Sequence, residues 1–256
     1  MKHSLITTYK KILADTITPV SIYLKLRDKF PKSILLESSD YHGNQDIYSY
    51  ICCKPIAGLK VVDNILSTYF PDGSHEEKSL ADQTKVVLAE EISRFSQSFE
   101  VDKQDFQFLH GGIFGYTCYD AVRYFEDVEV KTYETEFRKI PDVQYHVYQF
   151  VIAFNHFNNE VYLIENRPQN TVSELDQVDN FIQTKEFSTF KFELVAREES
   201  NFTDEEFKKI IVKGKEHCRR GDVFQIVLSR RFSQQYKGDD FNVYRSLRSI
   251  NPSPYL

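Results

Sequence analysis

The stretch from Val143 to Asn166 constrains the fold of this chain more than any other. Val143–Phe157 begins with polar and apolar residues alternating, the signature of a strand with one covered face. It then runs without interruption through Phe150-Val151-Ile152-Ala153-Phe154. A strand apolar at successive positions needs cover on both faces, so this segment belongs in the middle of a layered sheet. Asn158-Asn159 follows, a pair that tolerates the backbone of a tight hairpin turn, and Glu160–Asn166 returns as the second strand.

Around this hairpin the chain offers further strands and few helices. Thr18-Pro19 opens a helix: threonine caps it, and proline takes the first helical position, where no amide is needed. Ser33–Ser38 reads as a short strand and Ile47–Cys53 as another, broken by Pro55, with Gly58–Ile65 as a third; Pro71-Asp72-Gly73 is a turn. Val86, Leu88, Ile92 and Phe95 mark an amphipathic helix over about Thr84 to Phe99. Phe108–Tyr116 reads as a strand whose glycines admit close backbone approach, Asp120–Phe125 as a short helix, and Asn170–Phe187 as a longer one.

Lys185–Ser200 loses apolar periodicity and reads as a linker. Thr203 and Glu206 then form a capping box, each side chain answering a free amide of the other residue, and Gly221 stops the helix they open. Gly221–Phe232 runs from that stop into an apolar strand, and Phe241 onward forms a helix ending in Asn251-Pro252-Ser253-Pro254. The division expected is residues 1–168, a connecting helix and linker over 169–200, and a second unit begun in 201–256. The fold class expected is α+β, with antiparallel sheets and helices packed on them.

Composition excludes several functions. A net charge of −6 over 256 residues gives no global attraction to nucleic acid or an anionic membrane. No apolar run reaches the roughly 20 residues that span a bilayer. Cys52, Cys53, Cys118 and Cys218 form no CxxC pair, and free thiols point to a reducing, cytoplasmic setting. The histidines make no zinc spacing, Gly111-Gly112 lacks the ending of a phosphate loop, and the acidic stretch from Glu126 lacks calcium-loop spacing. His146 and His156 read as packed or surface residues.

Four segments together resemble component I of anthranilate synthase, a chorismate-utilising family. They are Leu35–Ser38 (LLES), Gly111–Glu126 (GGIFGYTCYDAVRYFE), Gly221–Phe232 (GDVFQIVLSRRF) and Ile250–Leu256 (INPSPYL). The resemblance spans nearly the whole chain, and it matches the N-terminal part of such a subunit. It implies an N-terminal domain followed by the truncated start of a chorismate-binding α+β domain. It further implies conversion of chorismate and ammonia to anthranilate and pyruvate, with magnesium as cofactor and a glutamine amidotransferase, component II, as the source of ammonia. The family's metal-binding glutamates and catalytic histidine would lie past Leu256, so the resemblance assigns no metal ligand to this chain and implies that it is inactive alone.

Gln225 is the candidate catalytic residue. In the related isochorismate and salicylate synthases the matching position looks like a lysine, which activates water. A glutamine amide cannot serve as a base near neutral pH and can only orient a nucleophile, which suits an ammonia user. Taken alone, Gln225 is a strand glutamine bonding to its neighbours. Among ammonia users the alternative is component I of aminodeoxychorismate synthase, whose proline segment looks more like NPAPF.

The resemblance also implies a regulatory tryptophan site with two walls: Glu37, Ser38 and Ser39 on one side, and Asn251, Pro252, Ser253, Tyr255 and Leu256 on the other. The prolines stiffen the second wall, and carboxylate and carbonyl oxygens suit an α-ammonium group. A different class of alternative follows, a tryptophan-binding module without catalysis. One departure bears on this site: where the family commonly shows Arg-Tyr-Ser-(apolar)-Ile-Gly, this chain has Ile47-Tyr48-Ser49-Tyr50-Ile51-Cys52, without the arginine or the glycine.

Overall fold

The computed structural model describes residues 2–38, 47–81, 83–102, 104–130, 140–251 and 253. They fall into two units, Met1–Ser188 with Ser253–Leu256, and Thr189–Pro252.

In the first unit the elements run β1 (His3–Leu13), α1 (Pro19–Leu26), β2 (Ile34–Leu36), β3 (Tyr48–Val62), β4 (Ile65–Tyr69) and β5 (His75–Ser79). Then come α2 (Val87–Gln97), β6 (Phe99–Val101), β7 (Phe114–Thr117), a 3-10 turn (Tyr119–Tyr124), β8 (Val143–Asn155), β9 (Glu160–Pro168) and α3 (Leu175–Gln183). The strands form one nine-stranded sheet in the order β5-β4-β3-β8-β9-β1-β6, with β2 added on β3 and β7 on β8. Among the described residues only the β1–β6 pair is parallel.

The hairpin read from the sequence is the centre of this sheet. β8 pairs with β3 along its length, and on its other edge with β7 over Val143–His146 and β9 over Phe150–Asn155. With a partner on each edge and layers above and below, the run from His146 to Asn155 is buried throughout. Asn159 takes the turn's left-handed conformation at φ 52°.

One face of β8 packs Phe150, Ile152 and Phe154 under α1 and α3, which contribute Ile22, Leu26, Leu175, Val178 and Ile182. A second cluster joins Val143, Val147, Leu59 and Val61 to Leu88 and Phe95 of α2 and to Ala121 and Tyr124. Pro55 does not end a strand as expected: β3 runs through it. Lys54 adopts φ 59° and the register to β8 shifts between Pro55 and Ala57, so a bulge absorbs the missing proline donor.

The strand expected over Phe108–Tyr116 shortens to β7. Gly112 sits at φ 123°, outside the strand region, and pairing begins only at Phe114. Gly115 does supply the close approach: a Cβ there would stand 1.9 Å from the carbonyl oxygen of Gln144.

A buried carboxylate ties α3 to the sheet. Glu165 of β9, 0% exposed, accepts on Oε1 from Gln149 Nε2 and Glu174 N, both at 2.9 Å. Its Oε2 accepts from Ser173 Oγ at 2.5 Å and Thr8 Oγ1 at 3.3 Å, with Arg167 Nε at 3.8 Å. Because Ser173 and Glu174 lead into α3, that helix packs into the first unit's core.

The second unit runs β10 (Phe192–Leu194), β11 (Glu199–Ser200), α4 (Asp204–Arg220), β12 (Phe232–Ser233), β13 (Tyr236–Gly238) and α5 (Phe241–Ile250). β10 pairs antiparallel with β13, and β11 with β12. Two of these strands arise inside the stretch read as a linker. The α4 capping box forms as expected, with Thr203 and Glu206 exchanging bonds, and Gly221 closes the helix at φ 78°.

The buried strand expected from Gly221 to Phe232 does not form. Residues 221–231 carry no strand, and Phe224 and Val227 stand exposed. Among the described residues no ladder pairs residues 223–230; pairing comes only at the end of the segment, where the Asn201 amide donates to the Arg231 carbonyl at 3.2 Å, the Arg231 amide donates to Asn201 Oδ1 at 2.9 Å, and Phe232 pairs with Ser200. Leu228 packs closely on Gly214 of α4, where a Cβ would meet Leu228 Cδ1 at 2.9 Å. An apolar strand is stable only with ladder partners for its amides and carbonyls, and among the described residues no ladder forms over residues 223–230.

Candidate functional site

The end of β2 builds the first candidate wall. Antiparallel pairing of Ile34, Leu35 and Leu36 with Cys52, Ile51 and Tyr50 carries the chain toward Ser49. Glu37 and Ser38 are both buried there, at 2% and 8% exposure. The Ser38 amide donates to Ser49 Oγ at 3.2 Å, and Ser49 Oγ lies 2.7 Å from His156 Nε2. Ser49 is itself fully buried.

His156 is held from two directions. Its amide donates to the Ile47 carbonyl at 3.1 Å, and its ring packs 4.9 Å from that of Phe154. Asn155, just before it, accepts the amides of Phe157 and Asn158 on Oδ1, shaping the hairpin turn, while its Nδ2 donates to the Tyr48 hydroxyl at 3.0 Å. Tyr48 packs against Phe108 at 5.0 Å between ring centroids, and the Tyr50 hydroxyl accepts from the Leu109 amide. The segment before Gly111 is thereby laid over this end of the sheet.

Cys52 is completely buried in an apolar cluster with Phe114, Tyr148 and Val151. Burial pushes its thiol well above the ordinary cysteine range, and pushes that of Cys53 up to about 12. Neither thiol is a nucleophile in this setting. Burial likewise raises the phenol of Tyr50, so it stays a neutral hydrogen-bonding group at physiological pH.

Ser49 and His156 have the separation of a nucleophile–base pair, but full burial of Ser49 denies a substrate access to it. The pair therefore orients the chain around it. Sequence reading missed it because the two residues lie 107 positions apart. The one available signal was a histidine directly after a buried strand, at the shoulder of its hairpin turn.

The remaining candidates are placed as follows. Gln225 lies exposed in the irregular segment of the second unit. Asn251 ends α5, its amide donating to the Leu247 carbonyl at 2.8 Å, and is exposed. Ser253 is half-buried and groups by its contacts with the first unit, the unit that holds Glu37 and Ser38. Ser39, Pro252, Tyr255 and Leu256 lie outside the described residues. Among the described residues no three His, Cys, Asp or Glu side chains converge to hold a metal. No helix among them is long and apolar enough to cross a membrane.

The family described as chorismate binding enzyme matches residues 62–256, and the chain belongs to it. It is 32% identical to anthranilate synthase component 1 of Aquifex aeolicus, over 99% of this chain and 53% of that protein. It is 29% identical to the Lactococcus lactis protein of the same name, over 96% of this chain and 53% of that protein. The chain thus spans about half the length of the curated relatives it matches. A solved structure of anthranilate synthase component I from Streptococcus pneumoniae shares the fold at a TM-score of 0.58 and 23% identity, over 96% of this chain and 53% of that one.

Proposed function

We infer that this chain supplies part of an anthranilate synthase component I, which aminates chorismate with ammonia and releases pyruvate to leave anthranilate. The observation that carries the reading is that relatives bearing this name match 96–99% of the chain, at 29–32% identity. The Pro-Ser-Pro-Tyr segment favours the anthranilate form over the aminodeoxychorismate alternative. In this reading Gln225 orients ammonia through its amide carbonyl. It abstracts no proton, since ammonia is already a nucleophile and the amide has no basic atom near neutral pH. A glutamine amidotransferase delivers the ammonia, and magnesium acts on residues of the family's other half. Glu37 and Ser38 form one wall of a regulatory pocket for L-tryptophan.

The test combines this chain with a separate polypeptide carrying the other half of a relative, such as the Aquifex aeolicus protein. Anthranilate fluorescence is followed with chorismate, ammonium and magnesium present. Neither half is expected to turn over alone, the pair is expected to form anthranilate, and Gln225→Ala in the pair should slow it about 10-fold or more, the scale of a lost positioning group. Formation of aminodeoxychorismate by the pair would overturn the assignment, and turnover unchanged by Gln225→Ala would remove that residue's role.

A further inference from the structure

We propose that Ser49 and His156 are positioning residues for the Glu37–Ser38 wall, so that ligand affinity at that wall depends on two side chains that do not touch the ligand. The proposal rests on the tryptophan-site reading for its ligand, but its geometry is independent of that reading.

The described β2–β3 ladder ends at Leu36, opposite Tyr50, and Ser38 follows as an isolated bridge. Beyond Leu36 the backbone of Glu37 and Ser38 stays buried, and a buried amide needs an acceptor. The Ser38 amide finds a side chain, the Ser49 hydroxyl at 3.2 Å. A hydroxyl on a freely turning Cβ–Oγ bond would be a loose anchor. Here it is clamped by His156 Nε2 at 2.7 Å, and His156 is fixed in turn by its own amide on Ile47 and by its ring against Phe154.

The proton count gives the clamp a direction. Ser49 Oγ spends a lone pair on the Ser38 amide and has one proton to donate. We assign His156 the tautomer with its proton on Nδ1, which accepts the Ser49 proton at Nε2. Ser38 N–H, Ser49 O–H and His156 Nε2 then form a chain in which each bond polarises the next. The hydroxyl thereby becomes a better acceptor for the amide, and the Glu37–Ser38 backbone is held in one conformation before any ligand arrives. Preorganisation of this kind raises affinity by removing an ordering cost from the binding step.

This arrangement joins three distant parts of the chain: the end of β2, the start of β3, and the corner between β8 and β9. The corner is kept in shape by Asn155, which accepts two turn amides on Oδ1. The wall is thus braced by the buried β8–β9 hairpin.

The test uses the full chain with Ser49→Ala, His156→Ala, His156→Gln and the Ser49→Ala/His156→Ala double variant, each checked for wild-type circular dichroism. Amide exchange at Ser38 reads the brace directly. Protection should drop roughly 10-fold in Ser49→Ala and His156→Ala, the scale of one hydrogen bond, and should survive in His156→Gln, whose amide oxygen can accept from the Ser49 hydroxyl. L-tryptophan titrated against the same proteins, followed by thermal midpoint and calorimetry, should bind about 10-fold more weakly to either alanine variant. The double variant should be no weaker than the worse single, because both substitutions break one chain. Unchanged Ser38 exchange, or additive losses of affinity, would overturn the brace. Exchange behaving as expected while the wild-type chain ignores millimolar tryptophan would instead overturn the tryptophan reading, and with it the ligand role given to the brace.

Discussion

Replacing Glu165 should separate the two jobs of its buried carboxylate. Oε1 faces two N–H donors that cannot reverse, the Gln149 side-chain amide and the Glu174 backbone amide, both at 2.9 Å. Oε2 faces two hydroxyls that can, those of Ser173 and Thr8. Glu165→Ala removes every acceptor at once in a site with no solvent access. The two hydroxyls can turn away, but the two N–H donors are stranded at about 1–3 kcal/mol each, so the variant should lose about 2–6 kcal/mol. In Glu165→Gln the amide oxygen keeps the Oε1 position while its NH2 group takes the Oε2 position and donates to hydroxyls that rotate to accept. Only the charge assistance and the attraction to Arg167 at 3.8 Å are lost, for about 1–2 kcal/mol. The assay is urea unfolding followed by circular dichroism, since the chain has no tryptophan to report by fluorescence. At roughly 2–4 °C per kcal/mol for a unit of this size, the alanine variant should melt about 10 °C below wild type and the glutamine variant only a few degrees below. A glutamine variant as unstable as the alanine one would refute the assignment of reversible and irreversible donors. An alanine variant within about 1 kcal/mol of wild type would refute the network itself.

Thiol labelling should follow burial. At pH 8 exposed Cys218 should react first, and Cys118, whose thiol is raised by partial burial and then by Asp142 and Asp120, more slowly. Cys53, with about one thiolate in ten thousand at that pH, and its neighbour Cys52 should react only on unfolding; prompt labelling of all four would contradict the buried assignment. Acid should weaken the fold through His146. Burial, with a smaller contribution from Lys32, lowers its imidazole below the ordinary value near 6.5, against an opposing backbone contact with Ala57. The unfolded chain therefore binds this proton more readily, so the stability His146 contributes is complete above pH about 6.5 and is lost as pH falls below it. The ring sits between the Tyr69 hydroxyl at 3.1 Å and the Gln144 amide at 2.8 Å, which suits a neutral imidazole accepting at Nε2. Urea midpoints between pH 5 and 6.5 should fall less steeply in His146→Gln, and an identical slope would reject the account.

What could be read before the fold was known shares one property: its cause lies within a few residues. The Thr18 and Thr203 caps, the stop at Gly221, the Asn158-Asn159 turn and the two-sided burial of the strand before it all follow from local sterics and local patterning. The order and spacing of the four family segments belong here too, since linear order needs no folding to be seen.

Tertiary structure decided whatever depends on a partner far along the chain. Pro55 looked like a strand end, yet β8 holds both halves of β3 in line and a bulge takes up the proline. The residues after Lys185 looked like a linker, yet β12 and β13 pair with strands inside it. The apolar run after Gly221 looked like a buried strand, and without a described ladder over residues 223–230 it is none. A strand is a property of two or three segments, so periodicity in one can propose it but not complete it. The same holds at the candidate site: Glu37 and Ser38 were visible as a motif, whereas the Ser49–His156 brace beneath them exists only because the sheet brings residues 107 positions apart to within 2.7 Å.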